Sequence, residues 1–217
     1  EHVFRRVRLA QTLSEVVVAT CDREIAEEVE RFGGCAVMTS NKHERCTDRI
    51  QEAADTVGGD IIVNIQGDEP FINPEQIDIL ASCLDGHTEL GTLVRHETDF
   101  EKLQSPTEMK VVLNNKMEAL YFSRSIIPFV RDVKMDKWAE AHKFYLHVGI
   151  YGYRKDVLNS IVKLKPTSLE GAECLEQLRW LENGYKIRVA ETEHDSFMID
   201  TPEDLADALA FRARKSQ

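Results

Sequence analysis

Long apolar runs are missing from this sequence. No stretch is long enough to cross a bilayer and no signal-peptide pattern occurs, so neither a membrane span nor secretion is predicted. Pairs of the CxxC type are also absent, and the number of cysteines is odd. A disulfide framework and a structural zinc site are therefore poor interpretations, and reduced thiols in a cytoplasmic protein fit better. The cysteines are Cys21, Cys35, Cys46, Cys83 and Cys174.

Positive charge is scarce. The 217 residues include 27 Lys and Arg against 38 Asp and Glu, which gives a formal net charge of −11. This balance disfavours non-specific binding to nucleic acid or to an anionic membrane. It does not forbid a local cationic pocket for a phosphorylated substrate. The length is sufficient for one sizeable α/β core.

Three familiar catalytic or nucleotide-binding motifs are absent. The chain has no GxGxxG or GxxxxGK[ST] loop for phosphates and no GxSxG element for a nucleophilic serine. Residues 1–10 already have the apolar spacing of a helix. Because a parallel α/β domain usually begins with a strand and a phosphate-binding loop, we expect residues upstream of this chain to be missing.

An alternation of strand-like and helix-like segments is present instead. Strands are predicted at 16–20, 35–39 and 60–65, and helices at 22–32 and 47–57. Asn73 is a favourable N-cap, with Pro74 at the first helical position and Gln76 in capping-box position. This βαβαβ order predicts an α/β fold with a mostly parallel central sheet flanked by helices.

The middle and end of the chain add further strands. They are predicted at 110–113, 118–122, 145–153 and 186–190, the first two joined by a hairpin turn at Asn114-Asn115. One helix is predicted at 169–183, ending at Gly184. Thr201 is expected to cap a last helix that contains Pro202 and Asp204. Without repeats or linkers, residues 1–217 are interpreted as one domain with an inserted or appended β-rich lobe.

The turn after the strand at 60–65 carries the clearest chemical signal. It delivers Gln66 and Asp68 to the carboxyl end of a strand, where open α/β sheets bind ligands. Asp68 and Asp200 are the predicted Mg²⁺ ligands, since carboxylate oxygen suits Mg²⁺ bound together with phosphate. Purely local roles compete with this hypothesis: Asp68 could stabilise its turn, and Asp200 could interact with the start of the following helix. From the residues alone the local role is favoured for Asp200 and balanced for Asp68.

Four basic residues are candidates for anion contacts. They are Arg49, Lys110, Arg124 and Arg131. Arginine can bind a carboxylate or phosphate with two parallel hydrogen bonds. For each residue taken alone, a solvated surface side chain is the better explanation.

A second set of polar residues could line a sugar pocket. His147 and Tyr151 are four residues apart in a strand, so both are expected on one face. The predicted helix carries Glu173, Glu176 and Gln177, which could receive sugar hydroxyls, although an amphipathic helix with charge pairing explains them nearly as well. Cys46, like Cys21, lacks the partners of a nucleophile and is interpreted as a spectator.

Together these segments resemble the 3-deoxy-manno-octulosonate cytidylyltransferases. The similar stretches are VNIQGDEPFI at 63–72, KVVL at 110–113, ALYFSRSIIPFVRD at 119–132, HVGIYGYR at 147–154, LEQLRWLENGYKIRV at 175–189 and DTPEDL at 200–205. Their order and spacing are those of the family. The first sixty residues are less similar.

The resemblance implies a fold and a reaction. The fold is nucleotide-diphospho-sugar-transferase-like, with a smaller β-rich lobe for sugar binding and dimerisation, usually in a homodimer. The reaction transfers CMP from CTP to 3-deoxy-manno-octulosonate with Mg²⁺, releasing diphosphate, for lipopolysaccharide synthesis in the cytoplasm.

The resemblance also implies roles for single residues. Asp68 and Asp200 match the metal ligands, and Arg49 matches the arginine that closes an SGTER-like element. Gln66, Thr47 and Lys110 are assigned to the nucleotide, with a sugar contact left open for Gln66. The positions that match the sugar side are Arg124, His147, Tyr151, Glu176 and Gln177.

Two departures from the family pattern leave alternatives open. The opening PARxxSxRLPGKPL loop is absent, and the SGTER-like element reads Arg45-Cys46-Thr47-Asp48-Arg49. A glycine near the final metal ligand is also replaced in 197–200. An amino-modified octulosonate or another acidic sugar could be the substrate, although divergence is the simpler explanation. A non-catalytic nucleotide- or sugar-binding protein is the third alternative.

Overall fold

A computed structural model describes residues 1–195, 198–199, 201 and 204–206. The helices are α1 (His2–Val7), α2 (Arg23–Arg31), α3 (Cys46–Val57), α4 (Pro74–Ser82), α5 (Phe100–Gln104), α6 (Trp138–Ala141), α7 (Lys155–Ile161), α8 (Ser168–Glu173) and α9 (Glu176–Glu182). The strands are β1 (Val17–Thr20), β2 (Cys35–Met38), β3 (Ile61–Asn64), β4 (Leu90–Glu97), β5 (Lys110–Leu113), β6 (Ala119–Ser123), β7 (Phe144–Arg154) and β8 (Ile187–Glu191). Within these ranges, no helix combines the length and apolar character needed to cross a membrane.

Local sequence signals set several element ends as predicted. At α4, the Asn73 side chain accepts from the Glu75 N–H (3.1 Å), and the Gln76 side chain accepts from the Asn73 N–H (3.0 Å). These bonds satisfy N–H groups that have no partner within the helix. Near the end of the chain, the Thr201 N–H donates to the Asp204 carboxylate over 2.8 Å, and the Asp204 N–H donates to the Thr201 hydroxyl over 3.2 Å. Pro202 lies outside the described residues.

The first part of the chain forms a parallel strand pair. β1 and β2 pair in register from Val17 with Cys35 to Thr20 with Met38, and α2 connects them. Helix α2 buries Ala26 and Val29. The strand–helix–strand order predicted for this part is confirmed.

The remaining described strands form a mixed sheet. Their order is β6-β5-β7-β4-β8, and β3 also pairs with β7. β4 and β8 are parallel, whereas β7 is antiparallel to β3, β4 and β5, and β5 is antiparallel to β6. The α/β class and the helix-flanked sheet are confirmed. The expectation of mostly parallel strands is wrong for this sheet, because the long strand β7 pairs with three strands that are antiparallel to it.

Both faces of the sheet are covered by helices. On one face, buried residues of α3, α7 and α9 pack against β4 and β7 through Leu90, Val94 and Tyr153. On the other face, α1 and α4 pack against Leu93 and Val148 of the same two strands. The alternation of side chains along a strand explains why neighbours in sequence enter opposite layers.

The approach of α4 to the sheet requires glycine. Gly91 of β4 pairs with Gly152 of β7 directly beneath this helix. A Cβ on Gly152 would collide with the Leu84 side chain, and one on Gly91 would lie 3.2 Å from the Leu80 side chain. The missing side chains therefore allow the helix to lie close to the sheet.

A bulge between β4 and β7 shapes the centre of the sheet. Thr92 pairs with Tyr151 and Leu93 pairs with Val148, so two residues of β7 have no partner on β4. An insertion of two residues preserves the alternation of faces. His147 and Tyr151 consequently share a face, as predicted, and their ring centroids lie 5.1 Å apart.

The helix expected at 169–183 is two helices. α8 ends at Glu173 and α9 begins at Glu176, and Cys174 between them is left-handed, with φ 52° and ψ 49°. Gly184, with φ 84°, follows the second helix as predicted. The prediction of one continuous helix was wrong, because the periodicity of the segment does not indicate the break. The break is instead stabilised by contacts that are distant in sequence, with β6 and with the loop before β5.

Candidate functional site

The turn after β3 places Gln66 and Asp68 beside the end of the described chain. Both residues are half-buried, and the turn is closed by a bond of 3.4 Å from the Glu69 N–H to the Gln66 carbonyl. The Ile199 N–H donates to the Asp68 carbonyl over 3.0 Å. The residue just before Asp200 therefore contacts this turn. Asp200 itself lies outside the described residues, so a shared metal site remains a prediction.

The start of α3 reaches the same turn. The Cys46 thiol donates to Gln66 Oε1 over 3.5 Å. Partial burial raises the pKa of this thiol, and the Gln66 bond acts in the opposite direction. The carboxylates of Glu176 and Asp68 raise the same pKa, whereas the Arg49 charge lowers it. These side chains, from α3, the turn after β3 and α9, therefore lie within interaction range of one thiol.

Arg49 is oriented by the segment after β2. Its Nη1 donates to Thr39 Oγ1 over 2.6 Å and to the Ser40 carbonyl over 3.4 Å. A guanidinium has five N–H groups, so these bonds leave donors for other acceptors. Its predicted contact with a substrate anion is untested.

Thr47 and Glu176 link the first turns of α3 and α9. Thr47 is only 2% exposed, and its hydroxyl donates to Glu176 Oε2 over 2.7 Å. Glu176 also lies 3.6 Å from an Arg45 nitrogen. Burial raises the pKa of Glu176, although the Thr47 bond and the Arg45 charge oppose the shift. Thr47 consequently positions a carboxyl group, and the substrate contacts predicted for both residues stay predictions.

His147 is held as a neutral hydrogen-bond acceptor. The Thr92 hydroxyl lies 2.8 Å from the Ile150 carbonyl and 2.9 Å from His147 Nε2. Since the hydroxyl has one proton, which the carbonyl accepts, its oxygen accepts from the Nε2–H group. Nδ1 then bears a lone pair, and it is buried with no partner in the described part of the chain. Burial lowers the pKa of His147 to about 3.

Tyr151 provides a donor next to this acceptor. Its hydroxyl is buried and has no hydrogen-bond partner among the residues that the structure describes. Burial, together with nearby Tyr153 and Glu176, raises the pKa of Tyr151 well above its ordinary value, so the hydroxyl keeps its proton. A donor and an acceptor buried side by side suit the hydroxyl groups of a ligand.

Gln177 is connected to the His147 backbone through Met109. It is 5% exposed, and its amide nitrogen is 3.9 Å from the Met109 sulfur. The Met109 carbonyl in turn accepts from the His147 N–H over 2.8 Å. A thioether is a weak acceptor, so the amide of Gln177 keeps most of its capacity for polar contacts.

Lys110 is occupied within the protein. It is fully buried, and its ammonium donates to the Ser105 carbonyl over 2.8 Å and to the Glu108 carbonyl over 2.5 Å. Burial lowers the pKa of the ammonium, and the Glu108 and Glu173 carboxylates oppose this shift. These contacts favour a structural role over the predicted contact with the nucleotide.

Arg124 is occupied in a similar way. Its guanidinium donates to the carbonyls of Pro106 (3.0 Å), Glu173 (2.7 Å) and Cys174 (3.4 Å). Two N–H groups remain for the predicted sugar contact, which is untested. Arg131 forms an ion pair with the adjacent Asp132 over 3.1 Å, and its side chain is 87% exposed.

For two residues of this region, the sequence analysis missed the contacts that the structure shows. Cys46 was interpreted as a spectator, yet its thiol contacts Gln66. Its place between Arg45 and Thr47 in the SGTER-like element was the available signal. Glu173 was considered only as an acid that could receive sugar hydroxyls, although its carboxylate contacts three residues of the β6 segment. No local pattern distinguishes it from other acids of the helix.

Comparison with known proteins places the chain in a family. The family model described as Cytidylyltransferase matches residues 1–187. The 3-deoxy-manno-octulosonate cytidylyltransferase of Parabacteroides distasonis is 51% identical over 99% of this chain and 88% of its own length. The protein of that name from Geobacter sulfurreducens is 47% identical, over 96% of this chain and 86% of its own length.

Solved structures agree with the sequence comparisons. A CMP:2-keto-3-deoxy-manno-octonic acid synthetase complexed with CTP aligns with a TM-score of 0.91 and 39% identity, over 99% of this chain and 87% of its own. A 4-diphosphocytidyl-2C-methyl-D-erythritol synthase from Anaerococcus prevotii has a TM-score of 0.62 at 16% identity, over 98% and 87% of the two chains, and shares the fold. The resemblance noted in the sequence is confirmed, and the chain belongs to the cytidylyltransferase family.

Proposed function

We propose that this protein transfers CMP from CTP to 3-deoxy-manno-octulosonate and releases diphosphate. The main observation in support is that the turn after β3 and the start of α9 both contact the first turn of α3, through Gln66 with Cys46 and Glu176 with Thr47. This convergence occurs in a chain that is about half identical to relatives with that name. In the proposed site, the nucleotide and the sugar would therefore bind next to each other, as a two-substrate transfer requires.

The reaction needs alignment more than a reactive protein group. The anomeric hydroxyl of the sugar attacks the α-phosphorus of CTP, the new oxygen–phosphorus bond forms, and the bond to the β-phosphate oxygen breaks. The hydroxyl proton passes to solvent and the electron pair leaves with diphosphate. Such a transfer is accelerated by holding the reactants in line and by balancing the charge of the phosphates. No covalent protein intermediate is required.

The donor set at the turn after β3 fits Mg²⁺. No group of three or more His, Cys, Asp or Glu side chains that could hold a metal occurs in the described part of the chain. Mg²⁺ commonly uses one or two carboxylates together with substrate phosphates, so a complete protein cage is not expected. We propose that Asp68 and Asp200 hold it. When bound, the ion would neutralise phosphate charge and acidify a coordinated hydroxyl.

On the nucleotide side, we propose that Arg49 contacts a phosphate and that Gln66 presents its amide NH₂. The Cys46 thiol occupies the amide oxygen of Gln66, which directs the nitrogen away from α3. The Thr47 hydroxyl donates its proton to Glu176, so a direct contact of Thr47 with the nucleotide would use the hydroxyl oxygen as an acceptor.

On the sugar side, we propose that His147 accepts from one hydroxyl group and Tyr151 donates to another. Glu176 and Gln177, at the start of α9, supply further polar contacts. The remaining N–H groups of Arg124 suit the sugar carboxylate. A neutral acceptor, a protonated donor and a cation together match an acidic polyhydroxylated substrate better than a neutral one.

Three broader properties are proposed from the family resemblance. They are assembly as a homodimer, a place in the cytoplasm, and supply of an activated sugar for lipopolysaccharide synthesis. Residues 1–217 are treated as one catalytic domain.

A substrate panel tests the proposal. Purified protein is incubated with CTP and Mg²⁺ and with one acid at a time: 3-deoxy-manno-octulosonate, an amino-modified octulosonate, or a nonulosonic acid. We expect diphosphate release with the first. Release with another acid alone would reassign the sugar, and release with none would favour a binding protein.

A further inference from the structure

The turn between α8 and α9 is the starting point. Cys174 and Leu175 join Glu173, the last residue of α8, to the start of α9, and Cys174 has the left-handed φ of 52°. This conformation is disfavoured for a residue with a side chain, so contacts around the turn must maintain it. The next residues along the chain are Glu176 and Gln177, which carry two of the proposed sugar contacts.

The carboxylate of Glu173 ties this turn to β6. Its Oε1 accepts from the Ser123 hydroxyl over 2.7 Å, with the Tyr121 hydroxyl at 3.5 Å, and its Oε2 accepts from the Arg124 N–H over 2.9 Å. Burial acts to raise the pKa of Glu173, but these bonds outweigh it and lower the pKa. The group is therefore an ionised acceptor at neutral pH.

The guanidinium of Arg124 holds the same turn from its backbone side. It donates to the carbonyls of Glu173 and Cys174, which end α8, and to the Pro106 carbonyl in the loop before β5. Cations near the final carbonyls of a helix are stabilising. Ser123 and Arg124 thus hold the turn in two ways. They bind the Glu173 carboxylate, and the Arg124 guanidinium also binds the backbone carbonyls of the turn.

We propose that Glu173 is a positioning residue for the sugar substrate, which acts by fixing the turn that orients Glu176 and Gln177. The proposal rests on the function proposed above. The Glu173 carboxylate is bonded to the β6 segment and not to the turn after β3, which gives the proposal a specific signature. Loosening the turn misplaces the sugar contacts and weakens the bond between Thr47 and Glu176, while the contact of Cys46 with Gln66 and the turn after β3 are kept.

Kinetics of matched variants test the proposal. In Glu173→Ala, we expect the KM for 3-deoxy-manno-octulosonate to rise about tenfold while the KM for CTP changes less than twofold. Glu173→Gln should restore most of the wild-type value, because its amide oxygen can accept from the Arg124 N–H and its NH₂ can donate to Ser123. Equal rises of both KM values, or no rise in the sugar KM, would overturn the proposal.

Glu182→Ala is the matched control. Glu182 also accepts a hydroxyl and a backbone bond, from Ser168 (3.0 Å) and Leu169 (3.1 Å), but at the opposite end of α8. We expect its sugar KM to equal that of the wild type. A sugar KM raised as much as in Glu173→Ala would show that any loosening of α8 suffices, which contradicts a specific role of the turn.

Hydrogen exchange separates this proposal from the proposed function. In Glu173→Ala, the backbone amides of residues 174–178 should exchange faster than in the wild type, and those of residues 66–72 should not change. Unchanged exchange at 174–178 would overturn the positioning role even if the enzyme is active. Failure of the wild type to release diphosphate would reject the proposed function, while the exchange result would still decide whether Glu173 fixes the turn.

Discussion

The turn after β3 and the start of β5 carry similar sequence signals but use their polar residues differently. At the first, Gln66 contacts the Cys46 thiol and Asp68 interacts with the same group, and both remain half-buried. At the second, Lys110 is fully buried and donates to two backbone carbonyls. A polar residue at the end of a strand is therefore not a ligand by position alone. Its partners decide whether it is available to a substrate.

The largest expected effect concerns Asp68. We predict that Asp68→Asn lowers turnover by about 100-fold while stability is unchanged, because loss of a metal contact removes several kcal/mol of charge stabilisation. Steady-state diphosphate release and urea unfolding measure the two quantities. The control is Asp60→Asn, at the other end of the same strand and exposed, which should retain full activity. Near-normal Mg²⁺-dependent turnover in Asp68→Asn would remove Asp68 from the metal site.

Lys110 should show the opposite behaviour. We predict that Lys110→Met lowers the free energy of unfolding by about 2–3 kcal/mol, because two partly buried carbonyls lose charge-assisted bonds. The KM for CTP of the folded variant should not change. Lys116→Met, on the exposed hairpin turn, is the matched control and should leave stability unaltered. If instead the KM for CTP rises and stability is unchanged, Lys110 is a nucleotide contact and the contrast between the two regions disappears.

The buried imidazole of His147 gives stability a specific pH dependence. Its pKa is about 3 in the folded protein and near 6.5 ordinarily. Between these pH values, His147 binds a proton in the unfolded chain but not in the folded protein. The stability that neutral His147 contributes is therefore fully present above pH 6.5 and declines as the pH falls. From about pH 7.5 to about pH 5, the loss should be ~2 kcal/mol.

Urea unfolding of the wild type and of His147→Gln at both pH values measures this contribution. The stability of the wild type should fall by ~2 kcal/mol more than that of the variant, because glutamine does not titrate. Because each protein is compared with itself at the two pH values, any effect of the substitution on stability that does not depend on pH cancels. Equal falls would show that His147 accepts a proton in the folded protein and is not held as a neutral acceptor.

The smallest expected effect concerns Cys46. We predict that Cys46→Ala raises the KM of the substrate contacted by Gln66 about threefold, since the loss of one weak bond frees the amide to rotate. Cys46→Ser should stay close to the wild type because a hydroxyl can donate to the same oxygen. Measuring the KM for CTP and for the sugar identifies which substrate Gln66 contacts. Equal kinetics of the two variants would show that the thiol does not orient the amide.

Local chemistry accounts for what the sequence could predict. The capping residues of α4 and the hairpin turn at Asn114-Asn115 depend on near neighbours, and both were predicted. The break at Cys174 was not, because it depends on Glu173 and Arg124 contacting each other across 49 residues. Strand direction is likewise non-local, so the antiparallel pairings of β7 were missed.

The candidate site divides along the same line. The turn with Gln66 and Asp68 could be predicted, since a strand end followed by acids is a local pattern. The shared face of His147 and Tyr151 followed from strand alternation. The contact of Cys46 with Gln66 and the burial of Lys110 depend on how distant segments pack, which periodicity does not encode.

Direct identification of the product is the decisive measurement. Protein incubated with CTP, Mg²⁺ and 3-deoxy-manno-octulosonate should form the CMP-sugar and diphosphate in equal amounts, as detected by mass spectrometry, and Asp68→Asn should form at least tenfold less. Equal product from Asp68→Asn, or no CMP-sugar from the wild type, would contradict the proposed transfer of CMP at the turn after β3.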